Sequence, residues 1–168
     1  ELQSLEAGQF DAVYCSHNLE HYYKHDGLRV LQGMVHVLKA DGFAEFRVPD
    51  LRSVMRTFVA DDMDIEDPLY TTQAGQPIAV RDVIYGWGKQ IEQSGVDFFA
   101  HKTGFSAASL RSALEQGGFR YVLTAVNDRP AGAVTKVSFS AQEWCGHVYS
   151  QLLFDAKSAR YTSHSYFD

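Results

Sequence analysis

Long apolar runs, cysteine and excess positive charge are all scarce in this sequence, and each scarcity excludes something. No apolar run approaches the ~18 residues that a membrane-spanning helix needs. Two cysteines among 168 residues, Cys15 and Cys145, are too few for a disulfide framework. The expected compartment is therefore reducing and cytoplasmic. Cys15 falls in an apolar run and reads as a small buried thiol. A formal charge of −6 gives no basic field to displace counterions, which argues against nucleic acid as a partner. A small-molecule substrate stays open. The N-terminus, ELQSLEAGQ, has neither the basic start nor the apolar centre of a signal peptide. The chain opens on Glu1 rather than Met, which points to processing or to a piece of something longer. There is no internal repeat and no low-complexity tract.

What is present suffices for a folded domain. Hydrophobic residues make up 45% and aromatics 13% of the chain, enough to build a core. The length suits one domain, or one domain with an appendage. Phe10 to Cys15 is a short apolar run of the buried-strand type. Leu31, Met34, Val35 and Leu38 then repeat at i, i+3, i+4 and i+7, predicting an amphipathic helix that ends near Lys39. Asp41-Gly42 is a turn signal. Phe43 to Val48 alternates as a strand and Pro49 halts it. Asp50 is a suitable N-cap for a helix whose stripe is Leu51, Val54, Met55, Phe58 and Val59.

Asp61 to Pro77 has no clear period and reads as a long loop with at most a helical turn. A further helix is predicted with Val80, Val83, Ile84, Trp87 and Ile91 inward, weakened where Gly86 and Gly88 flank Trp87. After an irregular stretch from Ser94 to Phe105, Ser106 caps a helix carrying Leu110, Ala113 and Leu114, which stops at Gly117-Gly118. Tyr121 to Val126 and Val134 to Ser140 read as strands joined by a turn at Asn127-Asp128-Arg129-Pro130. Alternating strands and helices imply an α/β fold with a parallel sheet covered on both faces. The last two strands would pair antiparallel at one edge.

Three motifs in this order carry a family resemblance. FDAVYCSHNLEHYY resembles the segment of class I S-adenosylmethionine-dependent methyltransferases that runs from an Asp through apolar pairs to Leu-Glu-His. VLKADGFAEFRVPD is similar to their Leu-Lys-Pro-Gly-Gly turn, following strand and Val-Pro-Asp stop. HKTGFSAASLRSALEQGGFRYV is similar to their late helix and Gly-Phe step. IYGWGKQIEQSGVDFFAHKTGFS also looks like a bacterial subgroup of these enzymes. The resemblance spans about Phe10 to Val126 and implies strands four to seven of a Rossmann-like methyltransferase sheet with flanking helices. It further implies S-adenosylmethionine as cofactor and a small-molecule acceptor. By matched position, Ser16, His17, Asn18 and Leu19 would border the cofactor. The family's glycine-rich turn after its first strand, and the acidic residue that holds the ribose, have no counterpart in these residues. A half-domain without catalysis, associating with a partner chain or with itself through an exposed sheet edge, is the alternative.

Other candidate residues admit two readings each. Tyr85, Trp87, Phe98 and His101 could line an acceptor pocket. The competing reading makes Trp87 and Phe98 ordinary core. His101 is the candidate general base, its ordinary pKa being suitable, although a lone histidine is more often structural. His17, His21 and His25 are spaced by four around Glu20, which on one continuous helix would suggest a metal site. Asp26-Gly27 interrupts such a helix, and Glu20-His21 reads instead as a loop anchor, so no metal is expected. The acidic run Asp61, Asp62, Asp64, Glu66 and Asp67 matches no calcium-loop spacing and reads as solvated.

The tail departs from the resemblance. KVSFSAQEWCGHVYSQL followed by SHSYFD is similar to a stretch of an unrelated bacterial family without assigned function. The expected division is a methyltransferase part over residues 1–135 and a tail over 136–168 that includes a last strand plus an appendage. Such a composite would arise by fusion or from an assembled reading frame, and the tail could then be an envelope-associated binding segment. Trp144-Cys145-Gly146-His147 invites a thiol–imidazole reading, but such pairs usually converge from distant segments.

Overall fold

A computed structural model describes residues 1–120, 122–126 and 134–140. The Asn127–Pro130 turn, the Trp144–His147 cluster and the rest of the tail from residue 141 lie outside the described residues.

The fold is α/β. Four strands form one mixed sheet: β1 (Phe10–Ser16), β2 (Leu38–Pro49), β5 (Leu123–Val126) and β6 (Val134–Ser140), in the order β1-β2-β6-β5. β1 and β2 run parallel, because helix α1 (Lys24–Val37) carries the chain back between them. β6 is antiparallel to both β2 and β5. The expected antiparallel pairing of the last two strands is thus present, with β6 inserted inside the sheet and β5 on the outside. β6 also spans the expected boundary at residue 135.

One face of this sheet holds the core. Along β2 the buried positions alternate, with Ala44, Phe46 and Val48 completely covered. They pack with Cys15 of β1, Leu31 and Met34 of α1, and Leu110 and Leu114 of α5 (Ala107–Gly117). Alternation on a pleated strand puts Glu45 and Arg47 on the opposite side, joined by a 3.0 Å ion pair, with Tyr14 of β1 61% exposed beside them. α1 and α5 both pack on the core side, while Arg47 and Glu45 on the other side are only 15% and 16% exposed.

Two helix ends follow from local chemistry. Asp50 is buried and its Oδ1 accepts the Arg52 N–H at 3.0 Å, starting α2 (Leu51–Ala60). Ser106 accepts the Ser109 N–H at 3.3 Å at the start of α5, and Gly118 ends that helix in the left-handed region.

Elsewhere the structure corrects the sequence. α2 buries Val54, but Met55 and Val59 of its expected inward stripe are exposed. Val54 instead joins Val80 and Val83 in a small second cluster. The loop expected from Asp61 to Pro77 contains a hairpin, β3 (Pro68–Thr71) paired antiparallel with β4 (Pro77–Ala79). The two strands are too short to show a period, which is why the pattern looked irregular. The single helix expected after Val80 is two, α3 (Val80–Tyr85) and α4 (Gly88–Ser94). They part at Gly86, where φ is +94°. Trp87 consequently leaves the inward stripe and is 39% exposed. No helix among the described residues is long and apolar enough to cross a membrane.

Candidate functional site

Because β1 and β2 are parallel, their carboxyl ends share one edge, where open sheets of this kind receive ligands. The loop after β1 starts at that edge. His17 continues the ladder by donating its N–H to the Arg47 carbonyl at 2.9 Å. It does so at a φ of +47°, uncommon for a residue with a side chain. A 3-10 turn, Leu19–His21, follows, and Tyr22 is extended before α1 begins. His17, His21 and His25 therefore share no helical face. His25 points to solvent beside Asp26, 3.2 Å away.

The Leu19–His21 turn is clamped to a segment some 80 positions later. The Glu20 carbonyl accepts the N–H groups of Lys102 and Thr103 at 2.8 and 3.1 Å. The Thr103 hydroxyl donates to the Tyr22 carbonyl at 2.7 Å. His21 donates Nδ1–H to the Ala100 carbonyl at 3.3 Å. His101 in turn is held from the other side. Its backbone N–H donates to the Tyr85 carbonyl at 2.9 Å, and its Nδ1–H to the Val83 carbonyl at the same distance. The two imidazole rings meet edge-on with centroids 5.0 Å apart, and Phe98 lies 4.9 Å from His21 on another side.

At the centre sits Glu20, 1% exposed, with neither carboxylate oxygen accepting a hydrogen bond. His17 Nδ1 lies 3.4 Å from its Oε1, a contact that becomes an ion pair only when His17 is protonated. Ligand atoms of Glu20, His21 and His101 all lie within 4.8 Å of one another. Burial lowers the pKa of His101 below the ordinary imidazole value, against the upward pull of the Glu20 charge and the Val83 carbonyl. Burial also pushes the Cys15 thiol up to about 12, helped by the Glu20 charge.

The residues singled out in the sequence fall into two groups. Ser16 and Asn18 are half-buried and His17 exposed at the strand edge, while Leu19 is a core residue. Leu19 also forms part of the wall of a cavity of about 430 Å³ with Tyr22, Leu28, Leu31 and Phe105. On the later segment, His101 and Phe98 converge on His21, whereas Tyr85 is 64% exposed and borders a separate surface hollow with Arg81 and Lys89. Phe98, like Trp87, is not core: it is 38% exposed. What the sequence missed is the convergence of Glu20 with His101. No local spacing encodes a contact between residues 81 positions apart.

Residues 1–46 match the family model of a methyltransferase domain. This methyltransferase-like segment comprises β1, its loop, α1 and most of β2, and agrees with the resemblance read from FDAVYCSHNLEHYY and VLKADGFAEFRVPD. No curated protein matches the chain. Among solved structures, a Thermotoga maritima S-adenosylmethionine-dependent methyltransferase, a possible histamine N-methyltransferase, is 16% identical with a TM-score of 0.48. The match covers 84% of this chain and 61% of that one. The 1,6-didemethyltoxoflavin-N1-methyltransferase of Burkholderia thailandensis, solved with S-adenosylhomocysteine, is 14% identical with a TM-score of 0.48. There the match covers 84% of this chain and 48% of that one. The chain thus spans less than two thirds of the length of either protein.

Proposed function

We propose that this chain contributes one edge of the donor site and the acceptor side of an S-adenosylmethionine-dependent methyltransferase acting on a small molecule. The observation that carries the reading is the methyltransferase-domain match over residues 1–46, whose loop leaves β1 at the shared carboxyl edge of two parallel strands. The residues at that edge fit such a ligand. Ser16 and Asn18 are polar and half-buried, and His17 stands open to solvent. Leu19 offers only its backbone and one apolar wall.

S-adenosylmethionine, when bound, supplies a sulfonium-activated methyl group. The chain's own residues would then hold and orient. Ser16, His17 and Asn18 would fix the donor's position, and Phe98 with Trp87 would offer apolar surface to the acceptor. Alignment of this kind is the main catalytic requirement of an in-line displacement. Tyr85 and His101 would add polar contacts. His101 presents only Nε2, since Nδ1–H is committed to Val83. A reducing, cytoplasmic setting suits the buried thiol of Cys15.

Calorimetric titration of the 168-residue chain with S-adenosylhomocysteine tests the reading. Saturable binding at micromolar concentration is expected. Asn18→Ala should weaken it by about tenfold, the ~1.4 kcal/mol of one polar contact. A second reading is favoured by one feature: among the described residues β1 is paired on one side only. No binding by a chain that elutes as an oligomer would replace the enzyme reading with that of a module that associates through this edge.

A further inference from the structure

We propose that Glu20, His21 and His101 form a binding site for a divalent first-row transition metal of the Zn2+ class. The inference does not depend on the methyltransferase reading. It starts from an imbalance: a carboxylate that is 1% exposed accepts no hydrogen bond at either oxygen. Buried charges are strongly unfavourable unless paired, hydrogen-bonded or bound to a metal. The contact with His17 does not resolve this, because His17 is more than half exposed and lies 3.4 Å away through one nitrogen.

The two histidines are arranged as ligands are. A backbone carbonyl can only accept, so the Ala100 and Val83 carbonyls fix the ring proton of His21 and His101 on Nδ1. Each Nε2 then carries a lone pair. Metal-binding histidines characteristically donate their other ring N–H to a carbonyl or carboxylate in this way, which sets both tautomer and ring direction.

Distance permits closure. Donors ~2.1 Å from a tetrahedral ion lie ~3.4 Å apart, and one ligand atom from each of the three residues lies within 4.8 Å of the others, so side-chain adjustment can bring the three donors onto one ion. The donor set of two imidazoles and one carboxylate suits zinc and its neighbours rather than calcium or magnesium, which prefer oxygen. Three protein ligands also leave a position for water or a substrate oxygen. In this state His101 is a ligand and not a general base. The metal would tie the Leu19–His21 turn to the 97–101 segment at the point where the backbone already clamps them.

The full chain, stripped with chelator, is titrated with Co2+ while its visible spectrum is recorded, and with Zn2+ by calorimetry. One equivalent should bind, produce Co2+ ligand-field bands and raise the melting temperature. Glu20→Gln preserves shape while removing charge, and should weaken binding at least tenfold with the metal-free melting temperature kept or raised. His101→Gln should weaken it similarly, and the exposed His25→Ala should not. Wild-type affinity in both Glu20→Gln and His101→Gln would overturn the site, as would the absence of Co2+ bands. Should either variant fail to fold, the wild-type protein still decides: Zn2+ must shift the Nε2 resonances of His21 and His101 in nitrogen NMR. Shifts confined to other histidines would refute the proposal.

Discussion

Cys15 is 4% exposed on the core face of β1, and its thiol faces Asn18 Oδ1 at 4.0 Å. Removing the thiolate's solvation raises the pKa to about 12 from 9.0, and the neighbouring Glu20 charge adds to the rise. A folded pKa above the unfolded one means that the folded chain holds the proton more tightly. The resulting stabilisation is fully present below pH 9 and lost progressively as pH rises toward about 12. The melting-temperature advantage of wild type over Cys15→Ala should therefore narrow through that window. In the native protein at neutral pH, mass spectrometry should find the Cys15 peptide unalkylated by iodoacetamide, with full labelling only after unfolding. The buried thiol was readable from its place in an apolar run. Its electrostatic exchange with Glu20 was not, because that needs the turn after β1.

At the scale of elements, the break between α3 and α4 positions His101. Gly86 combines a φ of +94° with close packing, and a Cβ there would run into the Phe99 carbonyl and Ala100. The antiparallel bridge between Gly86 and Ala100 is what this approach allows. Gly86→Ala should destabilise the chain by ~2–4 kcal/mol, the sum of strained backbone and overpacking. Urea unfolding followed by circular dichroism measures it. Gly88→Ala is the control, since open space surrounds that position. The glycines were visible in the sequence as a weakness in one helix. Only the approach of the Phe99–Ala100 backbone turns the first of them into a break that carries a site.

For the whole molecule, the order β1-β2-β6-β5 leaves β1 with its backbone groups unpaired along one side among the described residues. Phe10 and Tyr14 are exposed on the same strand. An edge of this kind recruits other strands unless charge or a bulge blunts it. Light scattering behind size exclusion should find this chain larger than a monomer at micromolar concentration. Ala12→Lys, a charge on the exposed strand, should shift it toward monomer with the melting temperature little changed. A wild-type chain that is monomeric at every concentration would remove self-association through β1 from consideration.

The elements with strong local signals were determined by the sequence itself. The apolar run Phe10–Cys15, the stripe of Leu31 and Met34, the alternation of β2 and the caps Asp50 and Ser106 each state their own structure. Periodicity and capping act over one or two turns, so a linear reading captures them. The α/β class and the antiparallel final pair followed from their order. Tertiary structure decided the rest. The short β3–β4 hairpin had too few residues to show a period, and Met55 and Val59 were left exposed where no described element covers them. Ser16, His17 and Asn18 were legible as a strand-end loop, because the motif is contiguous. The meeting of Glu20 and His21 with His101 was not, since it depends on the Leu19–His21 turn and the 100–103 segment being clamped together by backbone hydrogen bonds. Such contacts cost chain entropy that only the folded whole repays, and no stretch of sequence records them.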